Sequence, residues 1–189
     1  KKVTDNSIYV KFKVKHAHNS SALNEYLIIW TTTPWTLAFN LAVMANPDKV
    51  YCKIKASSNS NPNGKEETWI VAEDLANQVS NLVLGEDAKI LETFKGSKLE
   101  GLWYEHPFAE FVDYNSLKEN HPKVHTVVLS KEYVDTTSGT GLVHCAPGCG
   151  PEDFEVGYRN GLPAYNEVNE NGVYCESIGK FSGCIANKD

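Results

Sequence analysis

A chain of 189 residues and 21.0 kDa, 41% hydrophobic with a mean hydropathy of -0.37, is long enough to bury one sizeable core, and none of its apolar runs approaches a bilayer span. Its formal charge of -6, with Arg159 as the only arginine, argues against a primary nucleic-acid grip, which calls for a basic face and bidentate phosphate forks. Five scattered cysteines, an odd number, fit free thiols in a reducing compartment better than a disulfide framework.

In chain order, Ile8 to Val14 alternates apolar and polar residues and predicts a half-buried strand. Lys11, Lys13 and Lys15 share one face of it; they read as the lysines of a soluble edge strand, with an RNA backbone contact as the alternative. Glu25 to Thr31 contains Tyr26-Leu27-Ile28-Ile29-Trp30, apolar on both faces, and predicts a central strand. Leu41 to Ala45 and Val50 to Lys55 predict two more, separated by Asn46-Pro47-Asp48. The polar run Ser57 to Lys65 predicts a hairpin tip, and Thr68 to Val71 a returning strand.

Ala72 to Leu82 predicts a helix burying Leu75, Val79 and Leu82. Lys89 to Phe94, Val124 to Leu129 and Gly141 to Cys145 predict strands. Pro151 with Glu152 and Asp153 predicts a helix start, and Asn160-Gly161 its stop. Asn171-Gly172 signals a hairpin turn. The sum is one mostly β α/β domain over 1–189, a mixed or barrel-like β core with two or three flanking helices.

Two distant stretches carry the chemistry. In Thr31-Thr32-Thr33-Pro34-Trp35-Thr36, Pro34 ends the strand, so hydroxyls that can each donate once and accept twice face a cavity instead of a neighbouring strand. Trp35 adds an apolar plate for a base or a side chain, although a core role fits it equally. In Gly139-Thr140-Gly141-Leu142-Val143-His144, the small-residue turn permits close backbone approach to a ligand, and His144 stands at a strand end. Asp153, nine positions on, offers either dipole compensation or a fixed anion for an ammonium group, kept ionised by the helix terminus. His144, Cys145 and Cys149 match no common zinc spacing, and adjacent strand residues point to opposite faces, so no metal site is expected.

Taken together, Trp30 to Leu37 with Asn40 resembles the threonine-rich motif of the isoleucyl-tRNA synthetase editing domain, the connective insertion in the class I catalytic fold. Gly139 to Gly148 followed by Glu152-Asp153-Phe154 resembles that family's second editing motif, and Tyr104-Glu105-His106-Pro107-Phe108 and Gly161-Leu162-Pro163 are similar to further segments. Related valyl and leucyl domains typically carry arginine at the position of Thr33 and lysine or methionine at that of His144, so both positions favour isoleucyl. Ala38-Phe39 departs from the usual pattern.

The resemblance implies an editing domain excised from a larger cytoplasmic synthetase that hydrolyses valine misattached to isoleucine tRNA, or valyl-adenylate. One methylene in an apolar pocket is worth only about 1–3 kcal/mol, so a second, smaller sieve is needed; isoleucine against valine is the standard example, and the figure is taken over from it. By carry-over, Asp153 holds the α-ammonium and His144 walls out isoleucine. Thr31, Thr32 and Thr33 position water, Trp35 meets the terminal adenosine, and Asn40 braces the motif, with Gly139, Thr140 and Gly141 lining the site. The partners implied are the 3′ end of the tRNA and the rest of the synthetase, with no membrane. No cofactor is implied for the domain, while the parent enzyme uses ATP and Mg. Two rivals are a non-catalytic tRNA-binding insertion and a thiol hydrolase using Cys145 or Cys149.

Overall fold

The computed structural model describes residues 7–16, 24–56 and 66–187. Among these, nine strands form one mixed sheet in the order β6-β4-β5-β2-β1-β7-β8-β3-β9. The strands are β1 (Ile8–Lys15), β2 (Glu25–Thr31), β3 (Ala42–Ala45), β4 (Val50–Ala56), β5 (Glu67–Ala72), β6 (Lys89–Lys95), β7 (Trp103–Glu105), β8 (Thr126–Leu129) and β9 (Leu142–Cys145). The pairs β2–β5 and β3–β8 are parallel, and the other ladders are antiparallel. The sheet curls until β9 returns alongside β2, giving the barrel-like core. The expected hairpin tip over 57–65 lies outside the described residues.

Strand β2 is central because Leu27, Ile28 and Ile29 are all buried, so neither face tolerates solvent. Its register against β1 sets Ile8 opposite Thr31, which fixes where the threonine motif leaves the sheet. Strand β1 is not an edge: it is bonded to β2 on one side and β7 on the other. Two of its three lysines answer carboxylates, Lys11 with Glu67 at 2.8 Å and Lys15 with Glu105 at 2.5 Å. The strand is therefore no solubilising edge, and the charge of its lysine row is largely matched.

Three helices flank the sheet: α1 (Ala76–Leu84), α2 (Asn115–Asn120) and α3 (Pro151–Asn160). The predicted first helix opens as a 3-10 turn, Glu73–Leu75, before α1. Its inward face is Leu75, Ala76 and Val79, whereas Leu82 is 66% exposed, contrary to expectation. Position 82 continues the 75/79 spacing, but Val83 and Leu84 take the core-facing places in the last turn, and α1 then stops before left-handed Gly85. Helix α3 starts at Pro151 and stops at left-handed Gly161, as its sequence predicts. Gly172 is left-handed, and Val168 and Tyr174 bridge across the predicted turn. Among the described residues, no helix is long and apolar enough to cross a membrane.

Candidate functional site

The threonine motif does not continue as a strand. After Thr31 the chain enters a 3-10 turn, Pro34–Phe39, with proline at its start and no side-chain cap from Thr33. The turn brings Thr33 and Thr36 onto one side. Thr33 N–H donates to Thr31 Oγ1 at 3.1 Å, and the Thr31 and Thr33 hydroxyls lie 3.2 Å apart. Thr36 donates its hydroxyl proton to the Thr33 carbonyl at 2.9 Å, and its oxygen is 3.4 Å from Thr33 Oγ1.

His144 brings its Nε2 to 3.1 Å from the same Thr36 hydroxyl, and the ring tautomer decides which of the two donates. Nδ1 is sealed inside the protein without a partner. Burial lowers the pKa of His144 to about 4, so the ring is neutral at pH 7 and a weak base. Thr31, Thr33 and Thr36 thus form one connected wall with His144, 108 positions beyond Thr36, because β9 pairs with β3, the strand that follows the turn, with Val43 opposite His144.

Asp153 sits in the first turn of α3, and its Oδ2 accepts the Ala146 N–H at 3.0 Å. This bond ties α3 to the end of β9, two residues past His144. No protein donor to Oδ1 is found among the described residues. The expected lowering of its pKa by the helix terminus is not what prevails. Burial raises it, Ala146 N–H opposes, and Glu152 raises it further.

The remaining predicted residues divide. Trp35 is half-buried on the 3-10 turn, with its carbonyl held by Tyr174. Thr32 is exposed and stands apart from the hydroxyl chain. Asn40 is fully buried behind the turn, donating to the Ala42 carbonyl at 2.8 Å and accepting from Tyr104 at 2.5 Å, which is a bracing position. The turn Gly139-Thr140-Gly141 makes its close approach to this chain itself. A Cβ on Gly139 would lie 3.1 Å from the Trp30 ring, and one on Gly141 would lie 2.3 Å from Ala72 Cβ. Thr140 donates to the Leu142 carbonyl, and its own carbonyl accepts from Ala72 N–H.

Thr36 is the member of this wall that sequence reasoning passed over as a site residue. Its signal is the Thr33-Pro34-x-Thr36 spacing, since proline at a helical first position puts hydroxyls three apart on one face.

No family model matches the chain. Over 180 residues it is 47% identical to the isoleucine–tRNA ligase of Pyrococcus furiosus, covering 95% of this chain and 16% of that protein. It is 41% identical over 187 residues to the isoleucine–tRNA ligase of Methanocaldococcus jannaschii, covering 97% and 17%. The chain thus spans about a sixth of the length of these relatives. Among solved structures, the editing domain of the Plasmodium knowlesi cytosolic leucyl-tRNA synthetase superposes with a TM-score of 0.59 at 14% identity, over 84% of this chain and 66% of that one. The corresponding P. falciparum domain gives 0.53 at 14% identity, over 78% and 57%. At such identity the likeness is one of fold.

Proposed function

From its place in the isoleucyl-tRNA synthetase editing-domain family, to which this chain belongs, we propose that it is an ester hydrolase that removes valine misattached to isoleucine tRNA. The observation that carries the reading is the connected Thr31–Thr33–Thr36–His144 wall, with Asp153 bonded to Ala146 two residues beyond His144. Asp153 receives the α-ammonium on Oδ1. Binding a cation there favours the ionised carboxylate and offsets the effect of burial. His144 contributes bulk: one ring nitrogen is bonded to Thr36 and the other is sealed, so its carbon edge is what a side chain meets. Valine fits, and one more methylene overlaps the ring.

Hydrolysis proceeds by positioning. A histidine with a pKa of about 4 cannot drive deprotonation of water strongly, so the threonine hydroxyls orient the water and a ribose hydroxyl of the substrate assists. Trp35 takes the terminal adenosine. The tRNA, the body of the synthetase with its ATP and Mg chemistry, and a cytoplasmic location belong to the same proposal, as does valyl-adenylate as a second substrate.

A thiol hydrolase is disfavoured on chemistry. Cys145 points its thiol at the Asp153 carbonyl, 3.6 Å away, and burial, reinforced by Asp153, pushes its pKa well up. The same causes raise Cys149 to about 11, so neither offers thiolate at pH 7. The test is deacylation of valyl- and isoleucyl-tRNA(Ile) by wild type and Asp153→Ala at high enzyme concentration. Preferential loss of valine, abolished by the substitution, supports the reading. Wild-type inertness, in this chain and in the full-length synthetase, would leave the non-catalytic insertion.

A further inference from the structure

The threonine wall is only as well placed as the 3-10 turn that carries it, and that turn is held from outside. Four side chains from three separate segments donate to it in succession. Tyr174 Oη donates to the Trp35 carbonyl at 2.5 Å, and His106 Nε2 to the Leu37 carbonyl at 2.9 Å. Tyr114 Oη donates to the Ala38 carbonyl at 2.9 Å, and Tyr104 Oη to Asn40 Oδ1 at 2.5 Å. The His106 proton is fixed on Nε2 because Phe108 N–H occupies its Nδ1 at 3.0 Å. Internal bonds alone cannot hold so short a turn: those from Thr36 to Thr33 and from Asn40 to Leu37 close its two ends, while the Ala38 carbonyl is left to Tyr114.

Three of these donors are fully buried, at 1–3% exposure, and belong to the packed core. Tyr174 differs. It is half-buried and comes from the C-terminal stretch beyond α3, which folds on itself through two isolated bridges and meets the rest of the molecule through a small apolar cluster and bonds such as Lys180 N–H to the Phe111 carbonyl. Its ring packs on Phe39, centroids 5.8 Å apart, while its hydroxyl reaches the backbone of Trp35. We propose that Tyr174 is a positioning residue: its hydroxyl fixes the Trp35 backbone, and through it the indole and the Thr33–Thr36 hydroxyls, so that the C-terminal stretch sets the shape of the sieve.

The inference rests on the hydrolase reading for its kinetic arm, but its structural arm stands alone. Tyr174→Phe removes one hydroxyl and keeps the ring on Phe39. In the 189-residue chain, the indole N–H resonance of Trp35, identified by its loss in Trp35→Phe, is expected to move. A single hydrogen bond corresponds to roughly two- to tenfold in rate, so the ratio of valine to isoleucine cleavage should fall by about that factor. Ile54→Val, a core truncation on β4, lowers stability without touching the turn and should leave the ratio unchanged, because partial unfolding removes both activities equally. An unmoved Trp35 signal with an unchanged ratio overturns the proposal. If wild type cleaves neither ester, the hydrolase reading fails and the Trp35 signal alone decides: displaced upholds the positioning role, unmoved overturns it.

Discussion

His144→Ala separates size from chemistry at the sieve. The imidazole is 7% exposed and shares a single hydrogen bond with Thr36, so its removal opens a ring-sized space while leaving the Thr31–Thr33–Thr36 bonds to one another intact. Overpacking of a well-filled site costs about 1–3 kcal/mol, which converts to roughly 5- to 150-fold discrimination against isoleucine that the variant should lose. Valine cleavage loses only the bond to Thr36, worth about 0.5–1.5 kcal/mol, so it should slow by roughly 2- to 13-fold. Truncating a buried side chain costs stability too, about 1–3 kcal/mol, or roughly 2–12 °C in Tm for a domain of this size, so the assay belongs well below the transition. Initial rates on separately charged valyl- and isoleucyl-tRNA(Ile) give both numbers. Loss of valine cleavage by more than a hundredfold with no gain on isoleucine would refute the reasoning and put His144 in the chemistry.

Two further outcomes are expected from the geometry. Gly141→Ala combines a φ of +75° with a Cβ 2.3 Å from Ala72 Cβ; left-handed strain and overpacking together should cost about 2–5 kcal/mol. Gly161→Ala is equally left-handed but meets nothing within 4 Å, so only about 1–2 kcal/mol is expected, and equal losses in denaturant titrations would contradict this. Acid should unfold the chain steeply. Burial lowers His144 to about 4, His106 to about 3 and His125 to about 2, all from 6.5. Each ring binds its proton in the unfolded chain before it does in the folded one. Stability from these groups is therefore complete above about pH 6.5 and falls towards the folded values by about 1.4 kcal/mol per unit per histidine. Replacing His125 with a neutral side chain should flatten that slope in urea titrations between pH 6.5 and 4; an unchanged slope would count against its buried neutrality.

Where local chemistry decides structure, the sequence was legible. Pro151 and Gly161 bracket α3 correctly, and the two-sided apolar run of β2 marks a central strand. The 3-10 turn was not legible, because Thr33-Pro34 announces only the end of a strand, and the path of the chain beyond Pro34 is set by Tyr104, His106, Tyr114 and Tyr174 from remote segments. Strand β7 is three residues long and exists through its neighbours β1 and β8, so no periodicity could reveal it. Gly139 and Gly141 signalled close approach correctly, but a sequence does not say what approaches; here it is Trp30 and Ala72. Asp153 shows the same limit for charge, since its first-turn position is readable and its burial is not.

The pairing of β9 with β3 also has a kinetic side. Thr36 and His144 are separated by 108 positions, and they meet where β9 pairs with β3, the strand that directly follows the 3-10 turn. Loop-closure entropy must be met before such pairings are rewarded, which makes topologies of this kind slow to fold. The polar wall therefore cannot be assembled early and preserved. It comes into being as β9 docks on β3, and its appearance during refolding would mark that long-range pairing more sharply than total strand content does.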